Sequence, residues 1–286
     1  MAVIKNKEYP DDITELDLSG QDLTNEDIKD ISLLKELRAL YLNSNRIKDI
    51  SPLSQLSELA VLDLSDNDIS NISALSGLSK LQGLFLDKNN IRNISPLRTL
   101  TGLDTLALSE NPISDISPLA MLQRLHSLSM NNTSVSDITP IGKLEELGEL
   151  YLNNDSITDI APLSHLTKLT DLNLWNNSVK DISPLRKLTS LTFLDLNENP
   201  IHDLTPIRGL SKLESLSLWN SSVTSIAPLK RLSELSALDL SGNNITDISA
   251  LRWLTGLHEV NLSDTRVSSA DIERLKTALP SCNIEY

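Results

Sequence analysis

The sequence predicts a solenoid, in which short units of one design stack upon each other and share one continuous core. Leucine accounts for 57 of the 286 residues, whereas Phe, Trp and Tyr together number only nine, so the core must be aliphatic. Leucines also recur every 22 residues, and a fixed period of this length is typical of stacked repeats. This interval holds without insertion at Leu37, Leu59, Leu81, Leu103, Leu125, Leu147, Leu169, Leu191, Leu213, Leu235 and Leu257.

The first complete unit, residues 37–58, reads LRALYLNSNRIKDISPLSQLSE. Its leucines alternate with outward residues, which predicts a short strand near residues 40–42. Asn45 falls where the chain turns, and an inward amide there can bond free backbone groups of neighbouring units. Ser51-Pro52 then predicts an N-cap and a first-turn proline, so the return leg should hold one short 3₁₀ or helical turn.

Three further features of the repeat are predicted to be structural. The position of Asn45 carries Asn, Asp, Ser or Thr in every unit, and eight units carry proline at the position of Pro52. A third position is rich in aspartate and resembles a ladder of metal ligands. Asx turns explain it without a metal, because each Asp lies two residues before the return turn. These are Asp49, Asp115, Asp137, Asp159, Asp181, Asp203 and Asp247.

The two ends of the chain depart from the repeat. The segment Asn25–Leu34 is predicted to form a helix with Ile28, Ile31 and Leu34 on one face. Near the C-terminus, Ser268 begins a capping box, followed by a helix that ends before Pro280 and a last extended piece at 282–286. We therefore expect three parts: residues 1–36 as a variant repeat with a helical cap, 37–256 as ten regular 22-residue repeats, and 257–286 as a partial repeat with a C-terminal helical cap.

The template L-x-x-L-x-L-x-x-N-x-I is the leucine-rich-repeat pattern, and the text D-I-S-P-L at 49–53, 115–119 and 181–185 resembles the bacterial internalin family. A similar repeat class occurs in phosphatase-regulatory leucine-rich-repeat proteins. The resemblance covers roughly residues 13–267. It implies an α/β leucine-rich-repeat solenoid, a curved right-handed superhelix with a parallel concave sheet and short 3₁₀ or helical elements on the convex side. It also implies protein binding through the concave face and a bacterial source.

Charge and hydropathy restrict the partners. With 25 basic and 39 acidic residues the chain carries a net charge of −14, which argues against binding nucleic acid or an anionic membrane. No apolar run is long enough for membrane insertion. The N-terminus has no signal-peptide core, so we expect either a cytoplasmic protein or a trimmed segment of a bacterial surface or secreted protein. We expect a monomer.

No catalytic, cofactor or metal site is expected. The four histidines are dispersed over distant repeats, Cys282 is the only cysteine, and no phosphate loop or hydrolase motif occurs. One pair of carboxylates, Glu149 and Asp171, occupies the same outward position on adjacent predicted strands, where general acid–base chemistry would be possible. An acidic contact surface needs the same pair, and we therefore predict that the protein is not an enzyme.

The outward strand positions are far from random. The three outward positions of eleven strands carry six of the nine aromatic residues, seven acids and none of the 25 basic residues. Sheet propensity explains two or three rings, but a purely structural surface would mix the signs of its charges. Rings exposed together favour a binding surface. The predicted partner-binding residues are Tyr41, Asp63, Phe85, Asp87, Glu149, Tyr151, Asp171, Trp175, Phe193, Asp195, Trp219 and Asp239.

These observations predict a non-enzymatic interaction module that binds a protein or peptide offering Lys or Arg together with apolar groups. Two alternatives remain open. A carbohydrate-binding repeat protein would also combine Trp stacking with Asn and Asp hydrogen bonds. An engineered consensus scaffold without a natural partner would explain the regular spacing, although its concave face would then be expected to repeat.

Overall fold

A computed structural model describes all 286 residues. Each repeat consists of a three-residue strand, a turn and a return leg that holds a 3₁₀ turn, as the sequence predicts. The strands begin one residue earlier than expected, so the strand predicted near 40–42 spans Ala39–Tyr41. Close contacts divide the chain into two compact units, Met1–Leu147 and Gly148–Tyr286.

The first unit contains six parallel strands, each hydrogen-bonded to the next in chain order. They are β3 (Glu15–Asp17), β4 (Ala39–Tyr41), β5 (Val61–Asp63), β6 (Gly83–Phe85), β7 (Thr105–Ala107) and β8 (Ser127–Ser129). Their return legs hold 3₁₀ turns at Lys29–Leu33, Ser51–Gln55, Ser73–Gly77, Ser95–Thr99, Ser117–Met121 and Thr139–Lys143.

A β-hairpin that the sequence did not predict lies at the N-terminus. Strands β1 (Ala2–Ile4) and β2 (Lys7–Tyr9) pair antiparallel, and the two residues between them adopt positive φ angles. Ala2 and Ile4 are buried, and β1 packs against the 3₁₀ turn Lys29–Leu33. The hairpin therefore covers the apolar side of the first repeat.

The prediction of a helix at Asn25–Leu34 is wrong. The segment forms hydrogen-bonded turns followed by the 3₁₀ turn Lys29–Leu33. The inward residues Ile28, Ile31 and Leu34 are three apart, which matches three residues per turn better than 3.6. Asn25 instead accepts hydrogen bonds from two backbone N–H groups of the next repeat.

The second unit contains seven parallel strands, which are again paired in chain order. A helix precedes the last of them. They are β9 (Glu149–Tyr151), β10 (Asp171–Asn173), β11 (Phe193–Asp195), β12 (Ser215–Ser217), β13 (Ala237–Asp239), β14 (Glu259–Asn261) and β15 (Asn283–Glu285). Return-leg 3₁₀ turns span Ala161–His165, Ser183–Lys187, Thr205–Gly209, Ala227–Arg231 and Leu251–Trp253.

One α-helix, α1 (Ser269–Ala278), precedes the last strand. Ser268 caps it, because its Oγ accepts the Asp271 N–H at 3.2 Å and lies 2.6 Å from the Asp271 carboxylate. The predicted cap, helix and final extended piece are therefore confirmed. No helix of the structure has both the length and the apolar character that crossing a bilayer requires.

The core of both units is a stack of aliphatic side chains tied together by buried amides. The leucines and isoleucines of the repeat template are almost completely buried. Asn199 is typical of the amides: its Oδ1 accepts the Val179 N–H at 2.9 Å, and its Nδ2 donates to the Leu174 carbonyl at 2.8 Å. Both partners belong to the preceding repeat, so the predicted Asn ladder is confirmed as a link between neighbours.

Each repeat contains two turns, one after the strand and one at the entry to the return leg. The residue three positions after each strand from β3 to β14 lies in the left-handed region. Its φ is 50–58° where it is not glycine, as at Lys88, Glu198 and Asn220, and 66° at Gly242. At the entry to the return leg, Asp181 accepts the Ser183 N–H at 2.8 Å, which confirms the predicted Asx turns.

The prediction that Ser51 caps the return turn is wrong. Ser51 is the first residue of the 3₁₀ turn, Ile50 is its N-cap, and no side chain caps it. The Asp49 carboxylate accepts the Ser51 N–H at 2.8 Å, and the Leu53 N–H donates to the Ile50 carbonyl at 2.9 Å, so neither N–H group needs a side-chain cap. Pro52 occupies the first turn as predicted.

Candidate functional site

The outward side chains of the strands, together with the residue two positions beyond each strand, form a surface that we call the outer sheet face. Most of these side chains are half-buried, because they stand side by side on a flat ladder of strands. The twelve predicted binding residues all lie on it. Four of them belong to the first unit and eight to the second, so they form two separate groups.

Four aromatic side chains of the second unit lie on or just after four consecutive strands. Tyr151 ends β9, Trp175 follows β10, Phe193 begins β11 and Trp219 follows β12. Neighbouring strands are about 4.8 Å apart, so the rings are within reach of one ligand. Trp219 is the most open of them, with 40% of its surface exposed.

Trp175 is held by a residue that the sequence analysis missed. Its indole Nε1 donates a hydrogen bond of 2.9 Å to Glu198 Oε2, on the turn of the next repeat. Glu198 has a positive φ of 51°, a position that carries varied polar residues in other repeats. The sequence signal was therefore weak, since only the indole above it distinguishes this glutamate. The bond fixes the ring and adds an acid at the edge of the face.

Trp219 also reaches toward the repeat that follows it. Its Cδ1 and Nε1 lie 3.5 Å from the place that a Cβ on Gly242 would occupy, so the ring covers that glycine. Its backbone N–H donates to Asn197 Oδ1 at 2.6 Å. Asn197 lies between the two indoles in the strand order, and its amide is therefore partly used to hold the backbone.

Glu149 and Asp171 are register neighbours across the β9–β10 pair. Burial raises the pKa of the Tyr151 hydroxyl, and the charges of Glu149 and Asp171 raise it further. The phenol is therefore a neutral hydrogen-bonding group beside two acids. No basic residue occupies the outer sheet face of this unit.

Asp195 and Asp239 contribute to the backbone and to the surface. Asp195 accepts the Asn197 N–H at 3.0 Å, and Asp239 accepts the Ser241 N–H at 2.9 Å. One carboxylate oxygen of each residue is therefore hydrogen-bonded to the backbone just after its strand. Burial raises the pKa of Asp195 above its ordinary value, and the charge of Asp239 acts in the same direction. The outward charge at this position is only partly stabilised by the protein.

The first unit carries the smaller group of predicted residues. Tyr41, Asp63 and Phe85 are register neighbours on β4, β5 and β6. Asp87 follows β6 and accepts the Ser109 N–H at 2.7 Å, while burial raises its pKa. A shallow pocket of about 490 Å³ adjoins this group, lined by Val61, Gln82, Gly83, Phe85, Gly102, Asp104, Thr105 and Arg124.

That pocket exists because Gly83 has no side chain beside the Phe85 ring, which lies 3.5 Å from the position of a Cβ. Arg124 brings a cation to the edge of the pocket, although none lies on the outer sheet face itself. The surface chemistry of this unit is therefore mixed, whereas that of the second unit is uniformly acidic and aromatic.

No three His, Cys, Asp or Glu side chains converge as a metal ion would require. Three of the four histidine rings contact nearby backbone or hydroxyl groups, as when His202 Nδ1 lies 3.0 Å from the Ser222 carbonyl. Burial raises the pKa of the Cys282 thiol, which makes it a weaker nucleophile.

Comparison with known proteins agrees with this architecture. The family model described as leucine-rich repeats in two copies matches residues 79–121, 123–165, 167–209 and 211–253, and a second leucine-rich-repeat model matches 35–91. A search of curated protein sequences returned no match.

Comparison with solved structures identifies which leucine-rich-repeat proteins the chain resembles. It is similar to the internalin InlF of Listeria monocytogenes, with 32% identity, a TM-score of 0.83, and coverage of 96% of this chain and 86% of that one. It is also similar to internalin C2 of the same species, with 36% identity, a TM-score of 0.61, and coverage of 64% and 81%.

A further similar structure is PEPR1–AtPEP1, with 25% identity, a TM-score of 0.72, and coverage of 89% of this chain and 39% of that one. Proteins of the internalin and receptor-ectodomain types are protein-interaction modules. The predicted solenoid of parallel strands and 3₁₀ turns is confirmed, and the chain belongs to the leucine-rich-repeat family as an internalin-like member.

Proposed function

We propose that the outer sheet face binds a protein or peptide that presents Lys or Arg next to apolar side chains. One observation carries the proposal: in the second unit, four aromatic rings on consecutive strands are interleaved with acids and no base accompanies them. Trp and Tyr are enriched among residues that dominate binding energy. The PEPR1–AtPEP1 structure, which shares this fold, supports a protein or peptide partner.

The arrangement suits a long basic side chain. Its aliphatic stem can lie on the rings of Trp175 and Phe193 while its charged end meets Asp171 or Asp195. The Asp195 charge is partly desolvated, so an incoming cation would recover an interaction that water supplies poorly. A small polar ligand would leave the rings uncovered.

Two substitutions test the proposal. Peptides selected on the intact protein from a random displayed library should be enriched in Lys, Arg and apolar residues. Trp175→Ala and Trp219→Ala should each weaken the binding of those peptides by about 2–4 kcal/mol, as expected for aromatic residues that dominate binding energy. Isothermal titration and thermal melting measure affinity and stability on the same samples.

Matched controls separate binding from folding. Trp253→Ala removes an exposed indole outside the outer sheet face and should leave peptide affinity unchanged. Leu218→Ala removes a buried core side chain and should cost about 2–5 kcal/mol of stability, whereas the two outer tryptophans should cost little. If the selected peptides bind both outer variants normally, or if the library yields no binder while a glycan array does, this face is not a protein-binding site.

A further inference from the structure

A second charged surface lies on the return legs of the second unit. Four consecutive 3₁₀ turns, Ser183–Lys187, Thr205–Gly209, Ala227–Arg231 and Leu251–Trp253, carry a base at the same position of the repeat, and two carry another beside it. We call this surface the basic stripe. Its members are Arg186, Lys187, Arg208, Lys230, Arg231 and Arg252.

The positive charges of the basic stripe are not neutralised by ion pairs. All six side chains are exposed, none forms an ion pair, and the four turns contain no acid. In the first unit the equivalent position holds a single base, Arg98. Concentrating like charges costs free energy through repulsion, so the accumulation of bases on these turns works against folding.

A pocket opens within the stripe. Gly209 occupies the position where the neighbouring turns carry Lys187 and Arg231, and a Cβ added there would meet no atom within 4 Å. The resulting pocket has a volume of about 600 Å³, and its charged lining is exclusively cationic. It is lined by Thr205, Arg208, Gly209, Ala227, Pro228, Lys230 and Arg231.

An exposed ring lies at the end of the stripe. Trp253 is 65% exposed, the largest exposed fraction of the three tryptophans. The Arg252 guanidinium lies 5.8 Å from the centre of its ring, in the range of a cation–π contact. The exposed indole can therefore contact an apolar side chain of a ligand whose acidic groups pair with the cations of the stripe.

The neighbourhood of the stripe distinguishes between possible anions. Asp181, Asp203 and Asp247 are exposed at the entries to three of the four turns and run alongside the stripe. A flat anionic membrane would bring its head groups against these carboxylates as well as against the bases. An extended chain is narrow enough to follow the bases alone.

We propose that the basic stripe is a second binding surface, which takes an extended acidic segment of a partner protein. Successive carboxylates of the segment would pair with Arg186, Arg208 and Lys230 along the stripe. The pocket at Gly209 would hold one acidic side chain between turns, and an apolar residue of the segment would cover Trp253. This surface is formed by other residues than the outer sheet face and functions independently of it.

A labelled oligoglutamate peptide ending in leucine tests the proposal on the full chain by fluorescence anisotropy. It should bind the intact protein despite the net charge of −14, and its glutamine counterpart should not. Arg208→Gln, Lys230→Gln and Arg231→Gln combined should lower affinity by about tenfold or more. The matched control, Arg92→Gln, Arg98→Gln and Lys143→Gln combined, removes three bases from return legs of the first unit and should change affinity less than about twofold.

Several results would overturn it. They are failure of the oligoglutamate peptide to bind, equal binding of the glutamine peptide, or equal losses in the two triple variants. Binding of phosphatidylserine vesicles without binding of the peptide would assign the stripe to a membrane instead. Melting temperatures should be unchanged in both triple variants. Trp175→Ala and Trp219→Ala should leave peptide affinity intact, so failure here is distinguishable from failure of the outer-face proposal.

Discussion

Single residues on the outer sheet face both stabilise the backbone and present a charge to a ligand. Asp195 ends its strand by accepting the Asn197 N–H and also presents a charge to the ligand side. The sequence pattern predicted the charge but not the hydrogen bond, because both roles need the same residue type. Glu198 was missed for a related reason, since its contact with Trp175 depends on where the indole points.

The pKa of Asp195 leads to a prediction at this scale. Burial raises that pKa in the folded state, so between the unfolded and folded pKa values the folded chain holds more protons and stability falls as pH rises. Asp195→Asn keeps an acceptor and removes the charge. We expect a higher melting temperature than wild type at neutral pH, and no difference below about pH 3.9, the ordinary value for Asp.

Asp203→Asn is the matched control with the opposite sign. Hydrogen bonds from Thr205 lower the pKa of Asp203, so its carboxylate contributes stability above the unfolded pKa and loses it as pH falls. This variant should melt below wild type at neutral pH and match it in acid. Parallel pH profiles for the two variants would contradict the assignment of burial as the cause at Asp195.

At the scale of the element, spacing predicted the repeats well and the ends less well. Leucine period, turn residues and prolines locate every repeat strand within one residue, because each repeat has only one way to bury its leucines. The hairpin of β1 and β2 was missed, since three-residue strands carry too few residues for a periodic pattern. The helix predicted at Asn25–Leu34 failed because an apolar spacing of three was taken for a helical face.

The Asn ladder allows a prediction about these elements. Asn199→Ala leaves the Val179 N–H and the Leu174 carbonyl without their buried partner. Each buried group left unpaired costs roughly 1–3 kcal/mol, so the free energy of unfolding in urea should fall by at least about 2 kcal/mol. Asn244→Ala, an exposed amide in a turn of the same unit, should change it little. Equal losses in the two variants would assign the effect to the turn and not to the ladder.

At the scale of the whole molecule, charge governs how partners arrive. The net charge is −14, and the acids of the outer sheet face are accompanied there by no base. For peptides selected on that face, the association rate should fall as salt rises, because charges are screened beyond about 8 Å at ~0.15 M. Stopped-flow measurements across ionic strength test this, and a flat rate would remove electrostatic steering.

The constant offset between strands also has a genetic consequence. The strand pairs from β4 to β8 and from β9 to β14 join residues 22 positions apart, as when Phe193 pairs with Asp171. The two end pairs, β3–β4 and β14–β15, are offset by 24 positions. An in-frame duplication or loss of 22 codons would therefore add or remove one complete rung while leaving the remaining rungs in register. A change that shifted the register of a strand by one residue would turn its leucines outward. Recombination between repeats thus offers a route by which the binding surface can lengthen or change its order of side chains without redesign of the core.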